Sequence, residues 1–119
     1  KRDLTEHRED STIADGCDVK VPGEQTYEVV KHLVDEFILV TEEEIEHAMK
    51  DLMQRAKIIT EGAGALPTAA ILSGKINNKW LEDKNVVALV SGGNVDLTRV
   101  SGVIEHGLNI ADTSKGVVG

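Results

Sequence analysis

Aromatic side chains make up only 3% of the 119 residues, one Trp, one Tyr and one Phe. Any core must therefore be aliphatic, assembled from Val, Ile, Leu and Ala. A single cysteine, Cys17, excludes an internal disulfide and provides no metal-ligand spacing. No apolar run approaches the roughly 20 residues that span a bilayer, and no secretory leader pattern is present. A reducing cytoplasm with no membrane partner is the expectation. Positive charge is scarce as well: 13 Lys and Arg stand against 21 Asp and Glu, a formal net charge of -8. Such a surface repels a nucleic-acid backbone and an anionic membrane alike.

What is present suits one globular domain: 40% hydrophobic and 29% charged residues over 119 positions. The chain opens on Lys1 in a charged run, KRDLTEHRED, with no Met, which raises the expectation of an internal start. TIADGCDVKVPGEQ, with Gly16, Pro22 and Gly23, has no steady period and reads as an ordered loop. Thr26 is placed to cap a helix whose inner face carries Val29, Val30, Leu33 and Val34. FILV, residues 37–40, is short and apolar, as a buried strand would be. Thr41 followed by Glu44 is a capping-box pattern, and the helix it opens sets Ile45, Ala48, Met49, Leu52, Met53 and Ala56 on one stripe.

TEGAGALPTAAILSG follows. Its small residues at 62–65 permit close backbone approach, Pro67 suits the first turn of a helix, and Gly74 suits its end. NVVALVS, residues 85–91, supplies a second apolar strand, and Asp96 to about Leu108 reads as a final helix. Strands alternating with helices imply an α/β structure with parallel strands. Two such strands leave bare edges and too little cover to stand alone, so the expectation is a fragment whose remaining sheet lies in an N-terminal part.

Two stretches draw attention for chemistry. SGGN, residues 91–94, sits where a strand ends, the place at which open α/β sheets bind ligands. Its glycines allow close approach, and successive amides can aim at an anion. It also reads as a plain turn with Asn94 or Asp96 as helix N-cap. Glu61 in TEGAGA is either a semi-buried acid beside a ligand or a solvated acid near a helix start. ADG, residues 14–16, reads as turn chemistry, the Asp bonding its own backbone. His32, His47 and His106 show no metal spacing, and Cys17 has no adjacent base.

In order, TIADG, TEEEI, TEGAGAL and SGGNVDL resemble the C-terminal part of a catabolic threonine dehydratase. That places the resemblance in the serine/threonine dehydratase family of pyridoxal-phosphate enzymes, fold type II, with serine racemase a near relative; it runs from about Thr12 to about Ile104. The resemblance implies pyridoxal phosphate as cofactor, with Ser91 hydrogen-bonded to the ring nitrogen, Gly92, Gly16 and Glu61 beside the cofactor, and Asn94 near an AMP-type nucleotide effector at a subunit interface. A serine hydroxyl does not hold that nitrogen protonated, which weakens the ring as an electron sink and suits β-elimination over transamination.

The same resemblance marks what is missing. The cofactor-bonding lysine in its Ser-x-Lys-x-Arg setting, the glycine-rich phosphate loop, the Asn flanking the ring and the metal-binding acids have no counterpart here. No catalytic or metal-binding residue is therefore expected in this segment, which should be inactive alone and pair with an N-terminal part and with further copies of the enzyme. A C-terminal regulatory ACT domain is not expected, which favours the nucleotide-activated catabolic type. Three alternatives stand beside L-threonine ammonia-lyase activity: serine dehydration or racemisation on the same fold, a nucleotide-binding module without chemistry, and a structural piece that self-associates along its bare edges.

Overall fold

A computed structural model describes residues 11–113, with side chains described over 11–106. The leading charged run therefore lies outside the described residues. After a single 3-10 turn at Asp15–Cys17, helices follow as α1 (Glu24–Leu33), α2 (Glu42–Asp51), α3 (Gly62–Leu72), α4 (Asn78–Leu81) and α5 (Leu97–Thr113). The core lies where α2 packs on α3 and α5, with the 3-10 turn seated on α3.

Helix α2 begins as its sequence demands. The Thr41 hydroxyl accepts from the Glu44 N–H at 3.3 Å, and the Glu44 carboxylate accepts from the Thr41 N–H at 2.7 Å. Ile45, Ala48 and Met49, one turn apart on one face, are buried, with Leu52 and Met53 packed against them. The Lys75 ammonium, donated from beyond α3, reaches the Glu44 carboxylate at 2.7 Å and the Leu39 carbonyl at 3.0 Å. That ammonium first, and the Thr41 N–H second, holds the Glu44 carboxyl below the usual carboxylate range. At its other end α2 widens into a π-helical turn, Leu52–Ala56, closed by Lys57 at φ 60°. The apolar stripe stops there, since Ala56 is exposed.

Three expectations are corrected. Helix α1 starts from Gly23 rather than Thr26, which lies inside it. Its Val29, Leu33 and the following Val34 are exposed, and α1 packs on no other element among the described residues. Pro67 sits inside α3 rather than in its first turn, because the helix begins five residues earlier, at Gly62. A proline cannot donate, so the Ala63 carbonyl forgoes its bond from that position. Gly74 ends this helix as expected, at φ +69°.

The third concerns the sheet. Residues 37–40 and 85–91 carry no strand pairing among the described residues. Their exposure nevertheless alternates: Phe37 70%, Leu39 86%, Val87 88% and Leu89 70% are bare, while Ile38, Val40, Ala88 and Val90 are half-buried. That period of two is the strand signature. A ladder needs a neighbour, and none of the described residues supplies one.

Candidate functional site

TEGAGA and SGGN, about 30 positions apart in sequence, are joined in space. The Gly92 carbonyl accepts from the Thr60 hydroxyl at 2.6 Å and from the Glu61 N–H at 3.2 Å. Glu61 is the N-cap of α3 and Thr60 precedes it, so the helix entrance is fastened to the SGGN turn. A tight bond from the Val95 N–H to the Gly93 carbonyl, 3.0 Å, closes that turn before α5.

The glycines answer to this seam. A Cβ placed on Gly92 would run into the Glu61 carboxylate, and one on Gly64 would stand 2.8 Å from the Gly92 carbonyl oxygen. The missing side chains at Gly92 and Gly64 thus let these two segments of the chain approach each other. The ADG turn joins the same group. Gly16 lies against α3, where an added Cβ would come 3.2 Å from the Ala63 methyl. The Asp15 carboxylate, expected to bond its own backbone, instead accepts from the Arg99 guanidinium at 3.3 Å. That bond links residues 84 apart.

Between these segments opens a cavity of about 220 Å³, lined by Asp15, Glu61, Asn94, Val95, Asp96 and Arg99. Three carboxylates face one guanidinium there. A volume below the roughly 300 Å³ at which pockets begin to hold drug-sized ligands leaves it an incomplete site. The surplus of negative charge disfavours a phosphate in that spot unless further cations come from elsewhere.

Of the residues singled out from sequence, Glu61 and Asn94 line the cavity, Gly92 lies against the Glu61 side chain, Gly16 lies against Ala63 of α3, and Ser91 is exposed and not among the lining residues. Helix α5 starts at Leu97, after Asp96, whose backbone carbonyl takes the Arg99 and Val100 N–H groups. Asp96 rather than Asn94 thus holds the capping position. His32 and His47 are exposed, and His106 meets Glu46 at 2.6 Å. No cluster of three His, Cys, Asp or Glu able to hold a metal occurs among the described residues. No helix among them is long and apolar enough to cross a membrane. Two site residues escaped the sequence reading, Thr60 and Arg99. Their partners are far away in the chain and leave no local pattern.

A turn at a strand-like end is thus pinned to the glycine-rich entrance of a helix. The chain belongs to the pyridoxal-phosphate dependent enzymes, which it matches over residues 1–92. Over all 119 residues it is 99% identical to "L-threonine dehydratase catabolic TdcB" of Staphylococcus aureus strain USA300, and 94% identical to that of strain N315. It spans 34% of the length of these relatives. Among solved structures, the Dictyostelium discoideum serine racemase superposes with a TM-score of 0.65 at 43% identity, over 74% of this chain and 28% of its own. The maize serine racemase gives 0.68 at 36% identity, over 86% and 31%. A tomato (Solanum lycopersicum) threonine deaminase, isoform 2 in its processed form, gives 0.65 at 32% identity, over 80% and 26%. The fold is accordingly of the α/β kind that these enzymes share.

Proposed function

We propose that this chain is the C-terminal part of the catalytic unit of a pyridoxal-phosphate-dependent L-threonine ammonia-lyase, which converts L-threonine to 2-oxobutanoate and ammonia. The observation that carries this reading is the 99% identity to a catabolic threonine dehydratase over all 119 residues. The whole enzyme would be cytoplasmic and oligomeric, and the chain alone inactive, because its relatives have twice as much again outside the region it spans. Residues 37–40 and 85–91 belong to a parallel sheet completed by that other part. Their alternating exposure supports this, since one face of each is already half-covered.

The residues fit the cofactor. Ser91 presents an exposed hydroxyl that makes no hydrogen bond among the described residues, on a backbone whose next carbonyl is held by two donors. A neutral group that both donates and accepts, on a fixed stem, suits a heterocyclic nitrogen. When bound, the cofactor supplies an electron sink for the substrate's α-carbon. Ser91 keeps that sink weak, because a hydroxyl, unlike a carboxylate, does not stabilise a protonated ring. A weak sink would favour loss of the substrate's β-hydroxyl over transamination. Gly92 and Gly16 keep the backbone close, and Glu61 borders the same space. Asn94 is the residue through which an AMP-type effector would act, with cations supplied from outside this segment.

Replacing Ser91 with Ala in the full-length enzyme should lower turnover at least about tenfold, equivalent to about 1.4 kcal/mol of barrier. Stability should move by no more than about 0.5 kcal/mol, as for an exposed position. Unchanged turnover removes Ser91 from this role. The 43% identity to a serine racemase favours one further reading, serine as substrate. Product analysis with L-threonine and L-serine separates the two.

A further inference from the structure

Thr60 is the one polar residue with a buried side chain among the described residues, at 1% exposure. A hydroxyl carries a single proton. Two carbonyls lie within its reach, that of Gly92 at 2.6 Å and that of Glu61 at 3.1 Å. The shorter contact takes the proton. A buried hydroxyl is costly unless such a bond is made, whereas valine would fill the same volume without the expense of desolvation. The hydroxyl at this position is therefore explained by the carbonyl it reaches, which belongs to the residue directly after Ser91.

Gly92 is held from three sides. Thr60 and the Glu61 N–H fix its carbonyl, and its amide and carbonyl lie 3.1 Å and 2.8 Å from where a Cβ on Gly64 would stand. The Ser91 side chain therefore stands one residue before an anchored carbonyl. Positioned groups of this kind lose much of their effect when displaced by a fraction of an ångström to one ångström.

We propose that Thr60 is a positioning residue: its hydroxyl, through the Gly92 carbonyl, sets where the Ser91 hydroxyl stands against the cofactor ring. This rests on the role given to Ser91 above. The test uses the full-length holoenzyme and reads the absorbance and fluorescence maxima of the bound cofactor, together with kcat and KM for L-threonine. Thr60→Val should shift those maxima in the direction that Ser91→Ala shifts them. It should lower kcat by about fivefold or more, with KM within about twofold. Thr60→Ser, which keeps the hydroxyl, should restore both readouts.

In a Ser91→Ala background, Thr60→Val should add no further loss of kcat, as expected for two residues acting in series. If the valine variant does not fold, Thr60→Ala carries the same comparison. An unshifted spectrum in a folded Thr60 variant, or a fully additive double variant, overturns the proposal for Thr60. A Ser91→Ala enzyme with unaltered spectrum and turnover overturns instead the reading beneath it.

Discussion

Adding one methyl group to Gly92 tests the seam between the two motifs. An ideal Cβ there would stand 2.7 Å from the Glu61 carboxyl carbon and 3.3 Å from its Cγ, inside ordinary contact distance. Either Glu61 swings away or the SGGN turn lifts off α3, straining the Thr60 and Glu61 bonds to the Gly92 carbonyl. The obstacle is the far end of a flexible, partly exposed side chain, so the cost stays at the low end of overpacking, about 1 kcal/mol, read as a lower midpoint in urea with an unchanged slope. Because the obstacle is a side chain, its removal should rescue: Gly92→Ala with Glu61→Ala should recover most of that loss relative to the sum of the single changes. Gly62 supplies the contrast. A Cβ there would stand 2.6 Å from the Ile13 carbonyl carbon and 3.0 Å from the Ala14 nitrogen, which are backbone and have nowhere to rotate. Gly62→Ala should therefore cost more, and no single side-chain truncation should relieve it. A Gly92→Ala variant that costs as much as Gly62→Ala, or a double variant no better than the sum of its parts, would refute the seating of SGGN on Glu61.

Other outcomes follow from single contacts. Lys57→Gly removes a left-handed residue that costs about 1–2 kcal/mol and loses the ammonium bond to the Gln54 carbonyl, so a net gain of about 0.5–1 kcal/mol is expected in the urea midpoint. Met49, at 1% exposure in the cluster between α2, α3 and α5, should lose about 2–5 kcal/mol on truncation to Ala, measured in the same way. Glu44 has its carboxyl pKa lowered by Lys75 and the Thr41 N–H. Its stabilisation is present above the ordinary value of 4.5 and fades as pH falls through the lowered one. Glu44→Gln should therefore be less stable than the parent at neutral pH and converge with it in acid, as urea midpoints across pH would record.

Local chemistry was readable where it is satisfied locally. Thr41 and Glu44 lie three positions apart and cap each other, so their pattern survives in any context. The stripe of Ile45, Ala48 and Met49 was equally plain, because one helix face meets one core. The small residues before Leu66 announced close packing, though not which chain would approach. Pro67 misled because proline preference locates a first turn only when nothing else holds the helix earlier. Here the contacts of Gly62 and Gly64 with distant backbone start it at Gly62. Helix α1 has the right apolar spacing, yet it packs on no other element among the described residues. Thr60 and Arg99 were invisible, since a buried hydroxyl and an ion pair 84 positions long exist only after folding.

The Thr60–Gly92 bond also closes a loop, with 32 positions between its ends. Within that loop, α4 with its exposed Trp80 packs on no other element among the described residues. Doubling such a loop adds only about 0.6 kcal/mol to its closure. Insertions and deletions across related sequences should accordingly gather between Ile76 and Lys84, past the Lys75 contact with Glu44, while the spacing within 57–64 and within 91–96 stays constant. The same stretch is where a foreign peptide or a protease site could be spliced in with least harm to the fold.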